Sequence, residues 1–312
     1  MIYNWIPYKL EMTADGPLIH WLDLGNRRIV EPFFDESISW NRMVMRQRSR
    51  YQSVTTIEVV HRWAAEMNYA APCAFIFHVS RCGSTLLSQC LVEDTKHIVI
   101  PEAPLLDDIL RLEDSAFPEG SSRQRLFNDT LKLLGQKRLN ESLLFIKLDS
   151  WHLYQYTLLR SWYPDTYFYF LSREPKAIIR SHQKRRGIQM IPGYLPESCT
   201  KIKVQVEHYT NFDQFTADVL KGFYDHLMTI EAMQHPLDGF FDYNAGMDNM
   251  LKAFNNHIAN RLENMELMQA RTRQHSKNPK QPFEEPTLYW EDFPYRSCLS
   301  AYKNLVKIYE KR

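Results

Sequence analysis

The sequence predicts an α/β fold in three layers, a central parallel sheet flanked by helices. Three observations carry that expectation. After residue 72 the apolar residues come in short unbroken runs, at 75–79, 97–100, 142–148 and 166–171. Such runs mark strands buried on both faces, where a half-exposed strand would alternate. Between the runs lie segments with apolar residues at helical spacing, and this strand–helix alternation builds parallel sheets. The run at 75–79 also leads straight into a tight turn holding Gly83 and then into a helical pattern.

Taken in order, residues 1–70 are mixed. Residues 19–25 read as a strand ending in a turn, and 55–67 have the spacing of an amphipathic helix. Pro72 punctuates the entry to the 75–79 strand. A helix follows at about 84–92, since Leu86, Leu87, Cys90 and Leu91 share one face. The strand at 97–100 ends at Pro101-Glu102-Ala103-Pro104, with helices at about 104–113 and 122–138. The third strand, 142–148, precedes a helix at about 151–162. The fourth, 166–171, precedes a helix that Pro175 opens at a favoured first-turn position. A fifth strand is expected at 239–243, helices at 246–258 and 297–310, and a polar, proline-punctuated loop at 271–287.

Composition narrows the function classes. The chain has 312 residues, 44% hydrophobic and 24% charged, with a net charge of only +1. There is no global basic field to hold nucleic acid, so any anion site is local. No apolar run approaches the roughly 18 residues that span a bilayer, and the N-terminus lacks the basic and apolar regions of a signal peptide. The five cysteines (Cys73, Cys82, Cys90, Cys199, Cys298) are odd in number and scattered without a CxxC pair. That argues against a disulfide framework or a zinc site and for a reducing, cytoplasmic setting. The expected organisation is one domain over 1–312, with 1–70 an extension packed on a nucleotide-binding and catalytic core at 71–312.

The motif Ser80-Arg81-Cys82-Gly83-Ser84-Thr85 carries the chemistry. It resembles a P-loop, with backbone N–H groups and a helix N-terminus forming an anion cradle. The lysine that a nucleoside-triphosphate-hydrolysing P-loop carries before its Ser/Thr is missing. Arg81 supplies a permanent charge and a planar fork suited to a tetrahedral oxyanion. The competing structural reading is a strand–turn–helix whose Gly and Ser only cap the helix. A second group lies at the end of the 166–171 strand, where Arg173 precedes Ser181 by eight residues. Ligands of open α/β sheets bind at that carboxyl edge, so Arg173 and Ser181 can hold a second phosphate.

Together these two groups resemble the donor-binding signatures of sulfotransferases that use 3′-phosphoadenosine-5′-phosphosulfate (PAPS). The resemblance covers about residues 75–182 and is greater to bacterial and tyrosylprotein-type members, since the steroid and phenol enzymes have Lys where Arg81 stands. Cys82, Ser84 and Leu86 depart from the Ser, Thr and Trp common in the cytosolic enzymes. The resemblance implies that Arg81, Cys82, Gly83, Ser84 and Thr85 grip the 5′-phosphosulfate and that Arg173 and Ser181 grip the 3′-phosphate. It also implies a basic loop over the nucleotide near the C-terminus, for which Arg271, Arg273, His275 and Lys277 are the candidates, with Arg271 and Lys277 at its ends. A solvated charged loop explains the same residues equally well.

Transfer of a sulfuryl group needs a proton acceptor within hydrogen-bond reach of the attacking hydroxyl or amine. Glu102 follows the second strand, where tyrosylprotein-type relatives have a base. Asp149 is the rival, because Lys147-Leu148-Asp149 falls where cytosolic sulfotransferases carry Lys-Thr-His. Lys147 would then stabilise the transferring group. As structural alternatives, Glu102 and Asp149 cap the helices after them, and His97 and His152 remain lesser candidates for the base. Lys184-Arg185-Arg186 reads as a solvated face. Trp151, Trp162, Tyr194 and Phe212 read as core first and as acceptor-pocket lining second. The acceptor pocket itself is expected from 105–125 and 186–215.

The expected activity is transfer of a sulfuryl group from PAPS to a hydroxyl or amine of a small-molecule or peptide acceptor. Adenosine 3′,5′-bisphosphate is the product, and no metal, nucleic acid or membrane is expected to take part. The alternatives are an ATP- or GTP-dependent kinase or NTPase with an atypical P-loop, and a non-catalytic nucleotide-binding protein.

Overall fold

Five strands, all parallel, run through the centre of the molecule in the order β5-β6-β4-β7-β8. The structure is a computed structural model and describes residues 2–117, 120–274 and 292–310. Before the sheet come β1 (Trp5–Thr13), β2 (Gly16–Asp23), α1 (Phe34–Arg48), β3 (Val54–Thr56) and α2 (Ile57–Ala65). The sheet segment continues with β4 (Pro72–His78), α3 (Ser84–Val92), β5 (His97–Pro101), α4 (Pro104–Arg111), α5 (Arg123–Leu134) and β6 (Leu143–Lys147). A 3-10 turn at Ser150–Gln155 leads to α6 (Tyr156–Trp162), β7 (Tyr167–Ser172) and α7 (Pro175–Lys184). Then follow α8 (Glu197–Thr200), α9 (Val206–Thr210), α10 (Phe212–Ala232), β8 (Asp238–Asp242), α11 (Met247–His257), α12 (Met265–Thr272) and α13 (Arg296–Tyr309).

The α/β expectation holds, and for the reason given: Phe75, Ile76 and Phe77 on the central β4 are all fully buried, as only a sheet covered on both faces allows. Phe77 stacks on Phe170 of β7, and Phe170 on Phe240 of β8, tying three neighbouring strands through one row of rings. Residues of β1, β2 and α1, such as Ile6, Trp21 and Phe34, belong to the same buried cluster as the central strands. In β1–β2–β3 the pairing is antiparallel.

Several boundaries differ from the sequence expectation. The 55–67 segment opens with β3 before α2, and 151–162 is a 3-10 turn followed by the short α6. β1, α1 and α10 were not anticipated. α10 is a 21-residue helix over a stretch whose first residues, 212–215, read as acceptor-loop sequence. Of the loop expected at 271–287, residues 271–272 close α12 and 275–291 lie outside the described residues.

Tyr194 and Phe212 are not core: they are 62% and 37% exposed, and Phe212 lies under the Arg186 guanidinium.

Candidate active site

The carboxyl ends of the parallel strands deliver His78 (β4), Glu102 (β5), Lys147 (β6), Arg173 (β7) and Tyr243 (β8) to one edge. All of these but the buried Lys147 line a cavity of about 790 Å³, which falls within the usual range for a cofactor-sized ligand.

Its floor is the turn between β4 and α3. Ser80, Arg81 and Gly83 all have positive φ, at 77°, 51° and 85°. Two non-glycine residues in the left-handed region within four positions are held there at a cost, as happens where backbone N–H groups must converge on an anion. Gly83 is required twice over. Its φ disfavours a side chain, and a Cβ would sit 2.4 Å from the Tyr243 ring. No side chain caps α3, and its first residues, Ser84 and Thr85, line the cavity.

Lys147 restores in space the cation missing from the loop sequence. β6 lies beside β4, with Lys147 opposite Ile76, and its ammonium is 3.3 Å from Thr85 Oγ1 and 2.5 Å from Glu102 Oε1. It is only 1% exposed. Glu102 itself has a positive φ of 57° and hydrogen-bonds His78 Nε2 at 3.1 Å. Because Ser80 N–H donates to His78 Nδ1, the neutral ring carries its proton on Nε2 and donates to Glu102. Burial raises the Glu102 carboxyl, but Lys147 and His78 outweigh it and hold the pKa down to about 2. Burial pushes the His78 ring down, which keeps it neutral.

Asp149 behaves oppositely. Burial and then the charges of Glu102 and Asp107 push its carboxyl well above the usual range. Its side chain also closes a capping box with His152, so the capping role weighed for it is real. The corresponding role for Glu102 is not: α4 has Ala103 as its N-cap.

Arg173 donates to Arg81 O at 3.2 Å and lies over the Tyr243 ring at 4.5 Å. Ser181, on α7, lines the same cavity, as do Cys82, Ser84 and Thr85. Arg81 Nη2 donates to Arg185 O at 2.6 Å. Arg185 and Arg186, read from sequence as a solvated face, line the cavity.

The remaining site expectations fare differently. Arg271 is on α12, 4% exposed, with its Nε 3.6 Å from Glu93 at the far end of α3. Among the described residues that line the cavity it does not appear. Its guanidinium also reaches Gln89 Oε1 at 3.5 Å, so it lies along the second half of α3. Lys277 and His275 lie outside the described residues. His97 donates to Leu91 O from the start of β5, away from the carboxyl edge. His152 spends both ring nitrogens, on Asp149 N and on Asp107. Neither is available as a base. Phe33, Asp35 and Glu36 of the N-terminal segment also line the cavity; no local motif in 1–70 signals this. Among the described residues no group of three or more His, Cys, Asp or Glu is placed to hold a metal ion, and no helix is long and apolar enough to cross a membrane.

Fold and site together define an α/β protein with a tight strand–turn–helix loop and a polar cavity at the carboxyl edge of its parallel sheet. Among solved structures the chain is similar to the sulfotransferase domain of the curacin biosynthetic pathway. That likeness has 13% identity and a TM-score of 0.49, over 77% of this chain and 99% of that one. It is also similar to sulfotransferase STF9 from Mycobacterium avium, with 13% identity and a TM-score of 0.46 over 81% of this chain and 80% of that one. A third likeness is to mouse sulfotransferase SULT7A1, solved with PAP, with 13% identity and a TM-score of 0.39 over 69% and 68% of the two chains. These likenesses concern the path of the backbone. The sequence matches no protein-family model and no curated protein.

Proposed function

We propose that this protein transfers a sulfuryl group from PAPS to a hydroxyl or amine of a small-molecule or peptide acceptor, releasing adenosine 3′,5′-bisphosphate. The observation that carries the reading is the pairing of two anion-holding groups on one cavity. The cradle of Ser80–Thr85 sits over β4, and Arg173 with Ser181 sits over β7 beside it. A donor phosphorylated at both its 3′ and 5′ positions fills both; a nucleoside triphosphate fills one.

In this reading the loop N–H groups, Arg81 and Lys147 hold the oxygens of the migrating group as charge develops on them. Lys147 stands at the Thr85 hydroxyl, where a triphosphate-hydrolysing P-loop would bring Mg²⁺. Glu102 takes the proton of the attacking group. At rest it is a weak base because Lys147 is bonded to it. When Lys147 turns to the transferring oxygens, the carboxylate loses that stabilisation and its basicity rises as the proton arrives. The raised pKa of Asp149 favours a second assignment of the base. Glu102→Gln and Asp149→Asn separate the two: only the true base, once amidated, abolishes turnover while leaving bisphosphate affinity intact.

Thermal-shift titration tests the donor. Adenosine 3′,5′-bisphosphate without Mg²⁺ is expected to stabilise the protein by about 2.7 kcal/mol at a hundredfold excess over Kd. Stabilisation by ATP with Mg²⁺ alone would overturn the proposal in favour of a kinase or NTPase. Bisphosphate binding with no PAPS turnover across an acceptor panel would leave a nucleotide-binding protein.

A further inference from the structure

The cavity is divided by charge, and the division follows the strand order. Its arginines, Arg81, Arg173, Arg185 and Arg186, come from the β4–β7 side. The β5–β6 side brings Glu102, Asp107 and Asp149, and α1 adds Asp35 and Glu36. Two of these acids already have cations: Glu102 has Lys147, and Asp107 has Arg111 and His152. Asp35 and Asp149 have none; among the described residues no Lys, Arg or His forms an ion pair with either.

Ser150 supplies an independent sign of a ligand. It is 2% exposed, it lines the same cavity, and its hydroxyl has no hydrogen-bond partner. A buried polar group without a partner is costly and is expected to be satisfied by something bound. The ring of Trp151 borders this half, and aromatic faces attract cations.

We propose that the acceptor is a positively charged, hydroxyl-bearing amine whose ammonium group faces Asp35 and Asp149 and whose hydroxyl receives the sulfuryl group. This rests on the sulfuryl-transfer reading above. The ammonium, fully bonded, is not the nucleophile. The acceptor hydroxyl oxygen forms the new bond to sulfur and its proton passes to a carboxylate of the site. The bond from sulfur to the bisphosphate oxygen breaks, and the bisphosphate leaves with the electron pair. An acidic acceptor would meet Asp35, Glu36 and Asp149 with like charge. Burial and then the charge of Glu102 raise the Asp35 carboxyl, and burial and then Glu102 and Asp107 raise that of Asp149; a bound cation opposes both effects.

Three phenols of similar size and different charge test this on the full chain saturated with adenosine 3′,5′-bisphosphate: tyramine (cationic), p-cresol (neutral) and 4-hydroxyphenylacetate (anionic). Calorimetric titration is expected to find tyramine bound about tenfold or more tighter than p-cresol, with 4-hydroxyphenylacetate weakest. Asp35→Asn should narrow the tyramine-to-cresol ratio about threefold or more. Asp35→Lys should reverse the order of tyramine and 4-hydroxyphenylacetate. Asp35 is exposed at the cavity mouth, so both variants are expected to fold, and bisphosphate affinity checks that they have. Equal binding of the three phenols, tighter binding of the neutral or anionic one, or no binding of any overturns the cationic acceptor. Failure to bind the bisphosphate in the first place instead overturns the donor reading beneath it.

Discussion

Lys147 is an ammonium almost wholly removed from water, and among the described residues Glu102 is the one carboxylate that forms an ion pair with it. Removing one member of such a pair leaves a buried charge uncompensated, at a cost of about 3–5 kcal/mol. Glu102→Gln should therefore lower the melting temperature at neutral pH as well as abolish turnover. Asp149→Asn should do the reverse: it keeps a capping oxygen for the turn and removes a carboxylate that burial and Glu102 destabilise. The two residues also bend the stability curve in opposite senses. Glu102, with its pKa held near 2, contributes stability above its ordinary pKa of about 4.5. That contribution is lost as pH falls toward 2. Asp149, with its pKa raised, weakens the fold as pH climbs through the interval above its ordinary value. Urea titrations of both variants between pH 3 and 8 check these slopes, and a Glu102→Gln protein with unchanged acid sensitivity would contradict the ion-pair assignment. At Gly83, alanine should cost about 1–3 kcal/mol through its φ and its clash with Tyr243. The same change should remove bisphosphate binding.

At the scale of elements, the unit β7–turn–α7 does two things at once. It aims Arg173 from the strand end and carries Ser181 on the second turn of the helix. Arg173 also bonds the carbonyl of Arg81 and covers Tyr243, so it shapes the cradle as well as its own phosphate site. Arg173→Ala is expected to weaken bisphosphate binding by about 1.5–3 kcal/mol. Lysine should rescue little, since a point charge lacks the planar fork that stacks and bonds together; calorimetry on both variants reads the difference. The strands and the cradle were legible because each is written locally, as an apolar run or as a glycine at a turn. α1 was not legible, because the few residues it buries, Phe34, Ser37 and Asn41, do not mark an apolar stripe, while the apolar Trp40 and Met43 are exposed. α10 does carry a stripe in Phe215, Val219, Leu220, Phe223, Leu227 and Ile230. Its first residues, 212–215, read as acceptor-loop sequence when taken without the α13 helix against which α10 packs. The burial of Arg271 against Glu93 and α3 was not legible for the complementary reason: a basic residue in a polar stretch gives no sign of it.

At the scale of the whole molecule, the N-terminal segment shares its buried cluster with the central sheet and also lends Phe33, Asp35 and Glu36 to the cavity. Thermal unfolding followed by tryptophan fluorescence and by circular dichroism is therefore expected to give coincident transitions. Two resolved transitions would mean that residues 1–70 fold as a unit of their own. The sequence by itself determined the class of the fold, the position of the anion cradle and the Arg173–Ser181 pair, because backbone conformation and burial on both faces leave marks within a few residues. Only the tertiary structure decided what stands around them. Strand order sets Lys147 against Thr85 and Glu102 across 62 and 45 residues of chain, and it divides the cavity into a basic and an acidic half. Proximity across a sheet depends on which strands become neighbours, and that is fixed by packing of the whole chain rather than by any local run of residues.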